Sequence, residues 1–252
     1  MAKRASRRHQ ADHDKTARIH SVFFDQPSKR GDNMRHEDLP EDREQRYLAK
    51  VRPRSDNQRD LLDAIKANPL TMALGPAGTG KTYLAISAAV EALDGGHVGR
   101  IVLSRPAVEA GENLGYLPGD MREKLDPYLR PLYDVLNDRL GVKRLRTYLA
   151  DGTIEIAPVA FMRGRTLNNA FILIDEAQNC TYGQLKMLLT RLGWHSTMVL
   201  TGDPDQSDLL HGMSGLEDIA KRLDGMDECA VVRLCDKDVV RHPLVGRMIA
   251  VL

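Results

Sequence analysis

The run Gly75-Pro-Ala-Gly-Thr-Gly-Lys-Thr82, "GPAGTGKT", fits the spacing G-x-x-x-x-G-K-[ST]. Gly75, Gly78 and Gly80 permit a tight curl whose backbone N–H groups face phosphate oxygens. A helix that starts directly afterwards adds positive potential. Lys81 would then reach the β- and γ-phosphates, and the Thr82 hydroxyl would ligate Mg²⁺. The stretch Gly75, Pro76, Ala77, Gly78, Thr79, Gly80, Lys81, Thr82 and Tyr83 is the candidate nucleotide-binding segment, with ATP and Mg²⁺ as its ligands. The duller reading, a glycine-rich turn with a surface lysine, does not account for the full spacing between a strand and a helix.

A second constellation lies in "AFILIDEAQN" (170–179), where two acids follow directly on an apolar run. A phosphate-loop sheet needs a carboxylate from a second strand end to hold the magnesium shell. Asp175 is placed to do so through water, and Glu176 to orient or deprotonate an attacking water. The adjacent pair favours hydrolysis over phosphoryl transfer to a small molecule. Without the phosphate loop, the same two residues would read as the start of a surface loop.

These residues need a scaffold that brings strand ends together. "LTMAL" (70–74) and "RIVLS" (100–104) read as short buried strands and "AFILI" (170–174) as a continuous apolar one; "TMVLTGD" (197–203) and "ECAVVRL" (228–234) read as further strands, while "TIEIAP" (153–158) alternates. "NQRDLLDAIKANP" predicts an amphipathic helix stopped near Pro69. Helices are also expected from Gly80 to about Leu93 and over most of 121–149. Thr181 and Gln184 form a T-x-x-Q capping box, so a helix starts there and is expected to end at Gly193. Residues 105–120 read as a Gly/Pro-rich loop, and Pro243 suits the first turn of a terminal helix. Strands alternating with helices predict a single α/β core with a mainly parallel central sheet and its ligand site at the strand C-terminal ends.

Composition bounds the rest. The 252 residues are 42% hydrophobic and 28% charged, which is ordinary for a globular chain. No apolar run approaches the ~20 residues of a membrane span. No apolar stretch follows the basic start of the chain, so a secretory signal is not expected, and three cysteines without zinc-like pairing point to reduced thiols in a cytoplasm. Residues 1–54 hold 14 Lys+Arg against 9 Asp+Glu, whereas residues 55–252 hold 22 against 26. A basic, flexible arm able to touch phosphates is therefore expected before a slightly acidic domain. Trp194 is expected to pack beside Gly193. His211 and His242 lack ligand-spaced partners, and Asp224, Gly225 and Asp227 read as a turn.

"DEAQ" resembles the second Walker motif of superfamily-one helicase-like ATPases. Together with "SRPAVEAGENLGYLPGDMREKLDPYLRPLYD", "IAPVAFMRGRTL" and "LTGDPDQSDL", it resembles the PhoH family of phosphate-starvation-inducible P-loop ATPases over roughly residues 55–252. That resemblance implies a RecA-like core, cytoplasmic ATPase activity and RNA helicase-like motifs. Gln58 stands where such proteins place an adenine-reading glutamine, and Asp203 and Gln206 where they sense the γ-phosphate. Arg105 takes the place of a nucleic-acid contact, although a salt bridge across its loop is an equal reading. Arg163 and Arg165 are further basic candidates for single-stranded RNA. Helicases of this kind close on a strand with two lobes, and this chain has length for one. The site would then be completed by an arginine from a neighbouring copy in a homo-oligomer, for which a hexameric ring is the expected form. Arg241 is the candidate finger, with Arg247 behind it, and such a finger can be worth roughly 10³–10⁵ in rate. Two other readings stay open: a slow nucleotide-dependent switch without motor activity, and a small-molecule kinase.

Overall fold

Short apolar runs supply a sheet that is covered on both faces. A computed structural model of the chain describes residues 50–106, 121–210 and 212–240. The strands are β1 (Leu70–Leu74), β2 (Arg100–Ser104), β3 (Ile154–Ile156), β4 (Ala170–Ile174), β5 (Thr197–Gly202) and β6 (Cys229–Arg233). They pair in the order β3-β2-β4-β5-β1-β6, and every pairing is parallel. β1 and β4 are buried along their whole length, which is why they read as unbroken apolar runs.

Helices α1 (Asp56–Ala67), α2 (Lys81–Asp94), α3 (Met121–Leu140) and α4 (Val142–Ala150) close one face. Leu61, Ile86 and Leu132 pack there against Ile101 and Leu173. Helices α5 (Tyr182–Leu189) and α6 (Leu216–Leu223) close the other, where Leu188 and Ile219 meet Met72, Ile172 and Leu200. The expected parallel α/β core is what the chain forms. Among the described residues, no helix is long and apolar enough to cross a membrane.

Register positions the site. Leu74 pairs with Gly202, Ile174 with Leu200 and Ser104 with Ile174. The segments that begin at Gly75, Arg105, Asp175 and Asp203 therefore leave the sheet at one edge. β5 lies between β1 and β4, so the phosphate loop and the acidic strand end flank the turn after Gly202.

The stretch 121–149 is mostly helical, as expected, and forms two helices divided at Gly141, whose φ is 76°. Two expectations are corrected. Helix α5 has the full Thr181/Gln184 capping box but ends at Leu189, not Gly193. Tertiary contact stops it: Leu167 N–H donates to the Arg191 carbonyl (2.9 Å) and Gly193 N–H to that of Leu167 (3.1 Å). Trp194 is 81% exposed rather than packed. Residues 107–120, His211, Arg241, His242, Pro243, Arg247 and the arm before residue 50 lie outside the described residues.

Candidate nucleotide-binding site

The loop after β1 has the curl its glycines allow. Gly75, Gly78 and Gly80 have φ of 139°, 85° and 86°, values that an L side chain resists. At Gly75 the requirement is also steric, because a Cβ there would run into the Leu234 carbonyl. Gly75 N–H donates to the Gly202 carbonyl (3.1 Å), and the Gly78 carbonyl accepts from Val240 N–H (2.9 Å). Inside the loop, the Thr79 hydroxyl donates to the Pro76 carbonyl (2.9 Å). Pro76 and Ala77 are half-buried.

Lys81 opens α2 and turns back over the loop. Its ammonium donates to the carbonyls of Gly75 (2.5 Å) and Pro76 (2.8 Å). Burial lowers its pKa, and attraction from Asp203, Glu176 and Asp175 opposes that shift. The next residue, Thr82, donates its hydroxyl to Asp175 Oδ1 at 2.6 Å. The residues expected to share a magnesium ion are therefore in direct contact, 93 positions apart in the chain.

Asp175 is 2% exposed, and three groups compensate its buried charge. Oδ1 accepts from Thr82 and also from the Thr201 hydroxyl (2.7 Å), while Arg105 approaches Oδ2 at 3.4 Å. Arg105 also reaches Glu176 Oε1 at 3.4 Å. Arg105 is thus ion-paired with the two site acids. Glu176 has the left-handed φ of 53°, a conformation that costs about 1–3 kcal/mol in a non-glycine residue.

Gln178 organises the chain beyond the two acids. Its Nε2 donates to Glu176 Oε2 (2.6 Å), and its Oε1 accepts from Asp203 N–H (3.1 Å). Nε2 also lies 3.4 Å from the Gln206 carbonyl. Gln206 itself is exposed and joins the site through its backbone. Thr201 and Gln178 are site residues that residue type and spacing did not single out, although both stand inside recognisable motifs. Thr201 opens "TGDPDQ", and Gln178 stands two positions after Glu176.

Other candidates are placed differently from one another. Gln58 is buried beside the loop, with Nε2 donating to the Thr79 carbonyl (2.9 Å) and Oε1 accepting from Arg54 N–H (2.8 Å). Tyr83 donates its hydroxyl to Asp138 (3.0 Å), and burial followed by that carboxylate raises its pKa. Arg165 makes a two-toothed pair with Glu155 at 2.6 and 2.7 Å, whereas Arg163 is exposed. No cluster of three or more His, Cys, Asp or Glu side chains suited to a metal occurs among the described residues. Thr82 and Asp175 could share a magnesium ion only with phosphate and water oxygens, the ligand set that ion ordinarily keeps.

The family model described as PhoH-like protein matches residues 50–252. The chain is 54% identical over 200 residues to the PhoH-like protein of Bacillus subtilis (strain 168), covering 79% of this chain and 63% of that one. Against protein PhoH of Escherichia coli (strain K12) it is 44% identical over 208 residues, covering 81% of this chain and 59% of that one. It thus spans about three fifths of the length of these curated relatives. Among solved structures, the Sulfolobus solfataricus SWI2/SNF2 ATPase core in complex with dsDNA aligns at 16% identity and a TM-score of 0.46, over 77% of this chain and 47% of that one. A phosphate loop, an acidic strand end beside it and a family match running from residue 50 to the last residue agree, and the chain belongs to the PhoH-like family of P-loop proteins.

Proposed function

We propose that this chain binds ATP with Mg²⁺ and hydrolyses it, acting on or stimulated by single-stranded RNA as a homo-oligomer. The observation that carries the reading is the contact of Thr82 with Asp175 at 2.6 Å, beneath a loop whose lysine already lies across it. The residues fit the ligand: the loop is a cradle that a Cβ at Gly75 would break, and a glycine-rich curl leading straight into the N-terminus of α2 suits phosphate. Bound magnesium would neutralise phosphate charge and hold the terminal phosphate in place. Thr82 and Asp175 would hold the ion, Asp175 through water. Lys81 exchanges its carbonyl contacts for phosphate oxygens. Glu176, held at one oxygen by Gln178, receives the proton of an attacking water at the other.

The RNA and assembly parts rest on the helicase-like motifs and on the described core forming one lobe. Arg163, exposed in the connection between β3 and β4, is a candidate RNA contact. Arg241 of a neighbouring copy is the candidate finger. One observation favours the slow-switch reading: Arg105 engages both catalytic carboxylates, so turnover needs that pair to open.

Phosphate release from Mg–ATP, with and without single-stranded RNA, separates the two. It is measured for wild-type and Arg241→Ala protein over a range of protein concentrations. Turnover stimulated by RNA, rising per protomer with concentration and lost in the variant, supports the oligomeric motor. Slow turnover indifferent to all three leaves the switch.

A further inference from the structure

A cleft of about 1080 Å³ adjoins the phosphate loop, lined by Gln58, Gly80, Tyr83, Leu84, Asp138 and residues 50–54 among others. We infer that this cleft holds the base of the nucleotide by shape and stacking, without reading its edge, so that the protein accepts purine nucleoside triphosphates with a 6-amino or a 6-keto group alike. The inference rests on the nucleotide-binding reading and adds the substrate class.

Gln58 is the residue whose amide could tell adenine from guanine, because it carries a donor group and an acceptor group side by side. Both groups are engaged by the backbone, Nε2 with the carbonyls of Thr79 (2.9 Å) and Asp238 (3.5 Å) and Oε1 with Arg54 N–H. A backbone N–H, that of Arg54, can be met only by the amide oxygen, and a backbone carbonyl, that of Thr79, only by the amide nitrogen. Its orientation is therefore fixed by its partners. The side chain is 3% exposed, and turning it toward a base would orphan two backbone groups at once. Gln58 is a positioning residue, tying the segment before α1 to the top of the phosphate loop.

Of the other polar side chains lining the cleft, Tyr83, Asp138 and Arg139 are linked to one another. The Tyr83 hydroxyl is shared between Asp138 and Arg139. Lys50, Arg52 and Arg54 are exposed on the rim, where solvated cations suit phosphate or ribose more than a fixed base edge. The apolar lining of the cleft is Tyr83, 38% exposed, with Leu84, Val51 and Pro53. A pocket of this kind discriminates weakly. Sites built to hydrogen-bond a substrate group reject the analogue lacking it by roughly 10⁴–10⁵, whereas apolar pockets manage only about 10–200-fold.

The test is displacement of a fluorescent ATP analogue from the full chain in Mg²⁺ by ATP, GTP, ITP and inorganic tripolyphosphate. The expected result is that ATP, GTP and ITP displace it at concentrations within about tenfold of each other, with tripolyphosphate weaker than all three by more than about tenfold. Tyr83→Ala should weaken ATP and GTP together. Gln58→Ala should leave the ATP-to-GTP ratio unchanged, as a residue that never reads the base must. A preference for ATP over GTP beyond about 100-fold, or a ratio that collapses in Gln58→Ala, overturns the inference and returns Gln58 to base reading. Tripolyphosphate competing as well as ATP overturns it by showing that the cleft holds no base. Failure of the labelled ATP to bind at all overturns the nucleotide reading together with it.

Discussion

The Gln178 amide bridges Glu176 and Asp203, donating to Glu176 Oε2 at 2.6 Å and accepting from Asp203 N–H at 3.1 Å. One side chain thus fixes the orientation of the candidate base and the start of the loop that carries Gln206. Gln178→Ala should lower ATP turnover by about 10- to 100-fold, the loss expected when a base is left unpositioned. Nucleotide affinity should change by less than about threefold, because Gln178 touches none of the phosphate-loop residues. Phosphate release and nucleotide titration on the same preparation check the split.

Lys81 and Glu176 should separate binding from chemistry. Lys81→Ala removes the ammonium that crosses the loop and should weaken nucleotide binding by more than about tenfold, in addition to abolishing turnover. Glu176→Gln keeps the shape and the Gln178 contact but removes the base. It should bind ATP normally and turn over at least about 100-fold more slowly.

Arg105 ion-pairs with two acids, one of them almost wholly buried. Arg105→Ala should destabilise the protein by about 1–2 kcal/mol, less than a fully buried pair would lose, because two hydroxyls still serve Asp175. Thermal unfolding with and without millimolar Mg²⁺ tests the cause. The ion should restore much of the lost stability in the variant and add less to the wild type.

Gly75 combines a left-handed φ with a carbonyl where a side chain would begin. Gly75→Ala should cost roughly 3 kcal/mol or more, read from chemical unfolding. Gly96, whose surroundings are open, is the control: Gly96→Ala meets only its φ of 69° and should cost about 1 kcal/mol.

Asp238 ties the turn after β6 to the start of α1. Burial alone would raise its pKa, but hydrogen bonds from the Ser55 and Asn57 side chains and from Cys235 outweigh that and hold it down at about 2. Its carboxylate is favoured in the folded state, so the stability it adds is complete above the ordinary value of 3.8 and is lost as pH falls from about 4 toward 2. Asp238→Asn should be less stable by about 2 kcal/mol at pH 7, with the gap to wild type closing over that acid range.

The elements legible in the sequence are those whose reasons are local. "LTMAL", "RIVLS" and "AFILI" form strands at those same residues, because a strand covered on both faces needs an unbroken apolar run. Thr181 and Gln184 form their capping box because both partners lie within one turn. The end of α5 is not legible in this way: Gly193 looks like a cap, whereas contact with Leu167 ends the helix four residues earlier.

The phosphate loop and the two acids could be named from types and spacing alone, since a phosphate cradle is made by consecutive residues. Their meeting was decided by the sheet. Placing β5 between β1 and β4 sets Thr201 against Asp175 and gives Gln178 the Asp203 N–H to bind. The same packing turns Arg105 onto the acids and commits the Gln58 amide to two backbone groups. A side chain's type sets the bonds it can make. Which of them it makes is settled by the neighbours that the fold brings within about 3 Å, and those neighbours lie tens of residues away in the chain.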